Sequence, residues 1–422
     1  MGVRHAVVAG GGIGGLTAAL ALRRGGWRVT VCERATELTG TGAGTGAGTG
    51  AGIVLAPNAL RALESIGLDP ALWPGDTLPG SVGLRRPDGT WLSRSDSGAL
   101  SARFGRPARA VHRGFLIATL AAGLPADVVH LGVSVTGVDD AGDVGDAVIV
   151  RTSAGDLRAD AVVAADGIRS VLRRQLFPHH PGLRHAGEAG WRAVVPGAGG
   201  PAWPPAETWG RGERFGVVPL ADGRIYLYAT ANAAAREPGT PPTGHHAELA
   251  RRFAAWHDPI PELLDRLDRL DPADVLHHEF YELAAPLPRF HAGRVALLGD
   301  AAHAMTPNMG QGGCLAIEDA VVAAHHLLSD DVRAALAAYT TARHRRTTRI
   351  SRQSRRIGEL ARLSHPMATS IRNLAVRATP QALTLRALDT VLGWHPPLDP
   401  GRPSPAPPSA PISANVDAKE HR

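Results

Sequence analysis

The chain has 422 residues, which is long enough for two closely associated domains with a sizeable core. Hydrophobic residues make up 44% of it, and no apolar run approaches the roughly 20 residues that cross a bilayer, so a globular protein without a membrane span is expected. The formal charge of +6 comes from arginines spread among nearly as many acidic residues, which argues against nucleic-acid binding and favours attraction of an anionic nucleotide or substrate.

The N-terminus leads straight into a glycine-rich turn. Residues 1–9 leave no room for the apolar region and cleavage site of a signal peptide, which predicts a cytoplasmic protein. The two cysteines, Cys32 and Cys314, are far apart in sequence and form no CxxC pair. They are therefore predicted to be buried thiols, and neither a metal site nor a redox disulfide is expected.

The chain opens in the order strand, glycine turn, helix, strand. The predicted segments are a strand at Ala6–Ala9, a turn at Gly10–Gly15, a helix at Leu16–Arg24 and a strand at Arg28–Cys32. The turn has GxGxxG spacing: its first glycine permits a tight bend, its second lets the backbone approach a pyrophosphate, and its third allows close packing of helix on strand. Glu33, at the end of the second strand, is placed to accept hydrogen bonds from ribose hydroxyls. The pattern predicts a bound dinucleotide.

A low-complexity stretch follows between residues 37 and 53. The tetrapeptide TGAG occurs three times, beginning at Thr41, Thr45 and Thr49. Such a run cannot pack a core, so a flexible loop is predicted, with only its end at 51–54 near a bound cofactor.

The middle of the chain changes from one kind of sheet to another. Strands are predicted at 128–138, 147–152 and 161–165, the last of which leads into Asp166 and Gly167. Between 191 and 231, short β-like runs broken by Pro and by an Asp-Gly turn predict an antiparallel sheet. Helices are predicted to follow at 245–257 and 260–270.

A second anchor for a cofactor is predicted near residue 300. A short buried strand at Arg294–Leu298 ends in Gly299 and Asp300, and a glycine-rich turn then leads into a helix at about 312–329. Asp300 is placed to bind a ribityl hydroxyl. The backbone amides of Gly310–Cys314 are placed to stabilise the negative charge that builds on the pyrimidine edge of a reduced flavin. No second GxGxxG fingerprint is present, so a nicotinamide nucleotide is not expected to be held permanently.

The remainder is predicted to be helical at 331–377 and disordered at 396–422, where Pro, Ser and Ala dominate. The arginine-rich stretch 343–356 is interpreted as a solvated helix face, with a dimer surface or an anion-facing patch as the alternative.

These three motifs, in this order, resemble the class A flavoprotein monooxygenases of the para-hydroxybenzoate hydroxylase type over about residues 4–375. The resemblance implies an α/β fold, in which a Rossmann-like FAD-binding domain carries an inserted antiparallel β-sheet substrate domain and C-terminal helices. The implied division is 1–70, 105–180 and 290–330 for the FAD domain, 71–104 and 181–289 for the substrate domain, 331–395 for the C-terminal helices and 396–422 for the tail.

The resemblance also implies which residues bind FAD. Glu33 and Arg34 correspond to contacts with the adenosine, Val54 and Val135 to backbone contacts, and Asp166 to a residue that serves both FAD and a transient NADH or NADPH. The implied cofactor-binding set is Gly10, Gly12, Ile13, Gly14, Gly15, Glu33, Arg34, Val54, Arg113, Val135, Asp166, Asp300, Gly310, Gln311, Gly312, Gly313 and Cys314.

Within that family the chain is most similar to bacterial urate and salicylate hydroxylases. Arg214 and Tyr226 match an active-site arginine and tyrosine, but Asn308 stands where the urate enzymes have an acid, which argues against urate as the substrate. The implied catalytic residues are Arg214, Tyr226 and Pro307, and the substrate-contacting residues are Arg192, Tyr228, Met305 and Asn308. Arg214 and Tyr226 are equally compatible with structural roles in their strands.

The implied reaction is NAD(P)H-dependent insertion of one oxygen atom of O2 into an aromatic or polycyclic small molecule through a flavin C4a-hydroperoxide, most simply a hydroxylation. Epoxidation, Baeyer-Villiger insertion and a reductase of the geranylgeranyl reductase type remain alternatives. A halogenase is disfavoured because the family's active-site lysine and WxWxIP motif have no counterpart, Lys419 being the only lysine. A monomer or homodimer is expected, without a metal, nucleic acid or membrane as a partner.

Overall fold

A computed structural model describes residues 3–38, 51–70, 73, 80–140, 147–197, 203–233 and 244–397. The TGAG repeats up to residue 50 and nearly all of the predicted disordered tail lie outside these residues. The strands are β1 His5–Ala9, β2 Arg28–Glu33, β3 Gly52–Leu55, β4 Ser81–Arg85, β5 Trp91–Asp96, β6 Arg109–His112, β7 Val129–Leu131, β8 Val135–Asp140, β9 Val148–Thr152, β10 Gly155–Ala159, β11 Ala161–Ala164, β12 Leu183–Val195, β13 Ala206–Trp209, β14 Glu213–Pro219, β15 Ile225–Asn232, β16 Leu276–Leu283, β17 His291–Ala292 and β18 Val295–Leu297.

The helices are α1 Ile13–Arg24, α2 Pro57–Ser65, α3 Ser97–Phe104, α4 Arg113–Ala122, α5 Val171–Leu176, α6 His245–Phe253, α7 Ile260–Leu267, α8 Asp300–His303, α9 Gly312–His326, α10 Val332–Ala361, α11 Pro366–Ala378 and α12 Gln381–Leu392. Among the described residues, no helix is both long and apolar enough to cross a bilayer.

The first sheet has the strand order β17-β18-β11-β1-β2-β7 and is parallel except at the β17–β18 edge. Its central strands are fully buried apolar runs, as is usual for a parallel sheet covered by helices on its faces. This confirms the Rossmann-like unit. The prediction of one continuous strand at 128–138 is wrong, because the chain turns at Gly132, whose φ is +72°. The two halves, β7 and β8, join different sheets.

The second large sheet has the order β16-β12-β15-β14-β13-β4-β5. Its pairs are antiparallel, as predicted, except that β13 runs parallel to β4. Alternate side chains of β12, β14 and β15 form one apolar core with α6 and α7, which includes Trp191, Phe215 and Phe253. The residues between them point to the opposite face, which we call the site face.

The long helix α10 begins at the N-cap Asp331, whose carboxylate accepts the Ala334 amide. It ends at Ala361, and α11 begins only at Pro366, so the predicted helical region is broken in two. The interpretation of 343–356 as a solvated face fits Arg345, Arg349, Arg352 and Arg356, which are exposed. It is wrong for Arg343, whose side chain is 0% exposed because it lies on the buried stripe of the helix.

Both cysteines are free and buried, as predicted. Burial raises the pKa of the Cys32 thiol to about 11 and that of Cys314 to about 12. Because the thiolate is the reactive form, we expect the native protein to leave both cysteines unmodified by Ellman's reagent at pH 8, whereas the protein in guanidinium should release two equivalents of chromophore. Rapid labelling of the native protein would contradict this placement.

Candidate active site

The glycine turn between β1 and α1 has the geometry of a phosphate-binding loop. Gly10 has a φ of +108°, and a Cβ built on Gly15 would lie 1.9 Å from the Gly10 carbonyl oxygen. These two glycines are therefore required by the fold. Around Gly12, by contrast, a Cβ would meet no atom within 4 Å. Gly12 is the N-cap of α1, so free amides at the helix start face this open space, which suits a pyrophosphate.

Glu33 lies beside the glycine turn and binds its backbone. Its carboxylate accepts the Gly11 amide at 2.6 Å and the Ala35 amide at 2.9 Å, and each oxygen keeps a lone pair for a ribose hydroxyl. The Glu33 carbonyl accepts the Val133 amide at 2.9 Å, which brings the segment leading to Val135 beside this acid. Arg34 is exposed next to it.

The Asp166 turn and the start of α8 are joined by one buried arginine that the sequence analysis did not single out. Asp166 accepts the amides of Val171 and Leu172 at 2.8 and 3.2 Å through one oxygen, whereas its buried Oδ1 has no partner among the described residues. Arg173 donates to the carbonyls of Asp300 and Ala301, both at 3.2 Å. The two aspartates that follow β11 and β18 are thereby held at the same edge of the sheet.

The predicted flavin-facing turn lies against β3. Gly310 has a φ of +61°, and the start of α9 packs on β3 so closely that a Cβ on Gly313 would lie 2.8 Å from Ile53. The Cys314 thiol faces the Val54 carbonyl at 3.6 Å. The exposed Asp300 side chain is at the first position of α8.

Arg113 lies at the start of α4, and its backbone amide donates to the Ala51 carbonyl beside β3. The residue is half-buried, and its buried Nε has no hydrogen-bond partner in the described part of the chain. Burial and then repulsion from Arg192 lower the pKa of its guanidinium. Two unpartnered buried groups, Asp166 Oδ1 and Arg113 Nε, together with the open space at Gly12, fit a bound FAD that supplies their partners.

The site face of the second sheet carries the predicted tyrosines. Tyr226 covers Gly52 of β3, where a Cβ would lie 2.5 Å from its ring, so this tyrosine packs the second large sheet against the two-stranded sheet of β3 and β6. Tyr228 covers Gly216, and the two tyrosine rings are 5.8 Å apart on one face of β15, as the two-residue alternation of a strand requires. Val194 and Val218 flank Tyr226 in register.

Arg214 is buried on this face with every donor group engaged. It donates to Glu188 at 2.5 Å, to Thr230 at 2.9 Å and to Asn308 at 2.7 Å. Its Nη1 also lies 3.5 Å from Glu207, which accepts the Tyr228 hydroxyl at 2.8 Å. Two acids on the sheet thus balance the charge of Arg214, while Asn308 accepts a hydrogen bond.

Glu188 and Glu207 were not among the site residues predicted from the sequence. Strand alternation assigns a residue to a face but does not identify its neighbour across the sheet.

Pro307 begins the turn to Gly310, and its carbonyl accepts the Gly310 amide at 2.9 Å. Met305 packs with Leu315 and Ile350.

Arg192 differs from Arg214 because it has no anionic partner. It is half-buried on the site face, in register with Tyr228, and makes only a contact of 5.8 Å with the Phe280 ring. No hydrogen bond or ion pair joins it to another described residue. Its neighbour His278 has its pKa lowered by burial and by this guanidinium. A cation in such surroundings suits an electron-rich oxygen of a ligand.

Comparisons with known proteins agree with this geometry. Residues 121–354 match a family described as FAD binding domain, and residues 5–180 match a second family with the same description. The Klebsiella pneumoniae protein HpxO, solved with FAD and uric acid, superposes with a TM-score of 0.82 and 28% identity, over 92% of this chain and 97% of that one.

Curated relatives extend over nearly the whole chain. An aurachin C monooxygenase/isomerase of Stigmatella aurantiaca is 38% identical over 88% of this chain and 93% of its own length. A 2-heptyl-3-hydroxy-4(1H)-quinolone synthase of Pseudomonas aeruginosa is 34% identical over 89% of this chain and 94% of its own. An FAD-dependent urate hydroxylase of Klebsiella pneumoniae is 32% identical over 80% and 85%, respectively.

Proposed function

Because the chain belongs to the class A FAD-dependent aromatic monooxygenases, we propose that it hydroxylates an oxo-substituted bicyclic heteroaromatic of the 4-quinolone type. FAD is its cofactor. The reaction takes one O2, one NAD(P)H and one proton, places one oxygen atom on a ring carbon and releases the other as water. Oxygen insertion fits the named relatives better than the double-bond reduction that we considered as an alternative.

One observation carries the proposal: Arg214 and the two acids of the site face engage one another, whereas Arg192 has no anionic or hydrogen-bonded partner among the described residues and lies on the part of the face that carries the tyrosine rings, Val194 and Val218. A 4-quinolone offers a flat apolar bicycle and one strongly polarised oxo group, which matches that distribution. The named quinolone synthase supports the same class. Urate is less favoured because Asn308 is neutral and both nearby acids are engaged by Arg214 or Tyr228.

The residues of the chain would act mainly by orientation. FAD, when bound, supplies the electrons from NAD(P)H and the activation of O2. Arg192 would hold the oxo group and favour the deprotonated form of the heterocycle, in which negative charge is shared with the neighbouring ring carbon and makes that carbon more nucleophilic. Burial raises the pKa of Tyr226, so its hydroxyl stays protonated and can donate to the ligand. Val194 and Val218 would exclude water from the reacting face.

The test is product analysis under 18O2. Purified holoenzyme would be given a 2-alkyl-4(1H)-quinolone, uric acid or salicylate, with NADH or NADPH, while O2 uptake is followed. We expect a gain of one 18O atom in the quinolone, with O2 uptake matched to product. Conversion of urate instead would refute the substrate class, and a gain of two hydrogens without O2 uptake would refute oxygen insertion.

Replacing Arg192 tests directly whether its guanidinium binds the substrate. Hydrogen bonds to charged groups contribute about 1.5–3 kcal/mol, so Arg192→Met should raise KM for the quinolone by about 10- to 100-fold. FAD content and the flavin spectrum should stay as in the parent protein. The exposed Arg345→Met is the matched control and should leave KM unchanged. An unchanged KM in Arg192→Met would assign this arginine another role.

The oligomeric state and the cellular location also remain proposals. A monomer or homodimer is proposed, which light scattering of the holoenzyme would check. A cytoplasmic location is proposed as well, and fractionation of the source cells would test it.

A further inference from the structure

A buried polar network lies behind the two segments that face the flavin. Asp319 of α9 is 0% exposed and forms one arm of it. Its Oδ2 accepts the Gly299 amide at 3.1 Å and pairs with His303 Nε2 at 2.5 Å. These contacts fix both ends of the short helix α8, which carries Asp300. Despite burial, His303 and Arg343 hold the pKa of Asp319 at about 2, so this acid is ionised.

Glu318, the preceding residue of α9, forms the second arm. Its Oε1 accepts Asn58 Nδ2 at 2.6 Å, and the same amide nitrogen donates to Gln311 at 3.0 Å. Gln311 belongs to the flavin-facing turn and is 4% exposed. The position of this turn therefore depends on Glu318 through Asn58 of α2.

Arg343 of α10 joins the two arms. Its Nε donates to Asp319 Oδ1 at 2.7 Å, and its Nη1 lies 2.7 Å from Glu318 Oε2. Arg346 makes a second pair with Glu318 at 2.8 Å, so the formal charges of the two acids and the two arginines cancel.

Residues 390–394, near the C-terminal end of the described chain, cover this network on its outer side. Arg346 donates to the carbonyls of Thr390 and Val391 at 2.6 and 2.7 Å. The Trp394 ring lies 5.5 Å from the Arg343 guanidinium carbon, and its carbonyl accepts Arg61 at 2.9 Å. The carboxylates are thus enclosed by protein on the side away from the flavin.

We propose that Arg343 is a positioning residue for FAD. It fixes the spacing between Asp300, at the ribityl position, and the Gly310–Cys314 turn, at the pyrimidine edge. Through that spacing it sets the affinity for FAD and the midpoint potential of the bound flavin. The helix α10, which follows the glycine turn and the flavin-facing turn in the chain, thereby controls the cofactor's chemistry without touching it.

The test removes one positive and one negative charge together. Arg343→Gln alone would leave an excess of buried carboxylate charge, which by itself destabilises a protein. The pair Arg343→Gln with Asp319→Asn removes one charge of each sign, so the net charge of the network is unchanged while its central link is cut. Arg349→Gln, on the same helix but exposed, is the matched control. Each apoprotein is reconstituted with FAD, and the dissociation constant, visible spectrum and midpoint potential are measured without substrate.

We expect the pair variant to bind FAD at least tenfold more weakly and with a shifted potential, although its apoprotein melts close to the parent temperature. FAD affinity and potential equal to those of the control would overturn the proposal. So would a large loss of apoprotein stability that by itself accounts for the weaker binding, because Arg343 would then be only structural.

A second variant, Asn58→Leu, cuts only the arm to Gln311. We expect it to shift the potential and the flavin spectrum, with a smaller loss of affinity because the Asp300 arm is intact. An unchanged spectrum and potential would contradict the role of this arm. Since no readout uses a substrate, failure here is separate from failure of the quinolone proposal.

Discussion

A Gly12→Val variant should purify folded but colourless. Gly12 has φ −77° and ψ −178°, which is extended backbone that valine adopts readily, and a Cβ there meets no protein atom within 4 Å. The added side chain occupies only the space assigned to the pyrophosphate. We therefore expect FAD affinity to fall by at least about 100-fold, or about 2.7 kcal/mol, with little change in the melting temperature of the apoprotein.

Gly15→Ala is the informative comparison for this variant. Its Cβ would lie 1.9 Å from the Gly10 carbonyl oxygen, so it should destabilise the apoprotein itself. The ratio of flavin to protein absorbance and the apoprotein melting temperature separate the two effects. A yellow Gly12→Val protein with parent-like FAD affinity would show that the pyrophosphate lies elsewhere.

Glu188→Ala should cause the largest loss of stability on the site face. Glu188 is 1% exposed and pairs at 2.5 Å with Arg214, which is 3% exposed. Without Glu188, the Arg214 guanidinium keeps only the more distant Glu207 at 3.5 Å, and breaking a buried ion pair typically costs about 3–5 kcal/mol. Denaturant unfolding of the apoprotein should therefore show a decrease of about this size in the free energy of unfolding.

The double variant Glu188→Ala with Arg214→Met separates charge from packing. Because it removes both charges, it should recover much of the lost free energy of unfolding. The exposed Glu359→Ala is the control and should change stability by less than about 0.5 kcal/mol. If the double variant were as unstable as Glu188→Ala, the pairing with Arg214 would not be what stabilises this face.

The sequence predicted best where function depends on backbone. The glycine turn, Glu33 and Asp300 each follow a short buried strand, and parallel strands bring such ends to one sheet edge, so order along the chain implies proximity. The partners of Arg214 depend instead on the register of β12 to β15. That register follows from cross-strand packing, which no local pattern in the chain specifies.

The burial of Arg343 in a helix likewise could not be predicted from the sequence around it. It lies one turn before Thr347 and two turns before Ile350 on the buried side of α10, within a stretch whose composition indicates a solvent-facing surface. Only the acidic pair on α9 makes that burial favourable, and this pair is distant in sequence. The domain boundary proposed at residue 331 remains a prediction, although Leu336 and Tyr339 of α10 share the core of the parallel sheet.

The position of β18 beside β11 also has a consequence during synthesis. The glycine turn is made first, but the strand and turn that complete the cofactor site follow only at residues 295–314. At about 5–20 residues per second, the intervening ~300 residues take roughly 15–60 s to translate. For that time the nascent chain holds half of a nucleotide site beside unpaired strand edges. FAD binding should therefore begin only after residue 314 has been translated.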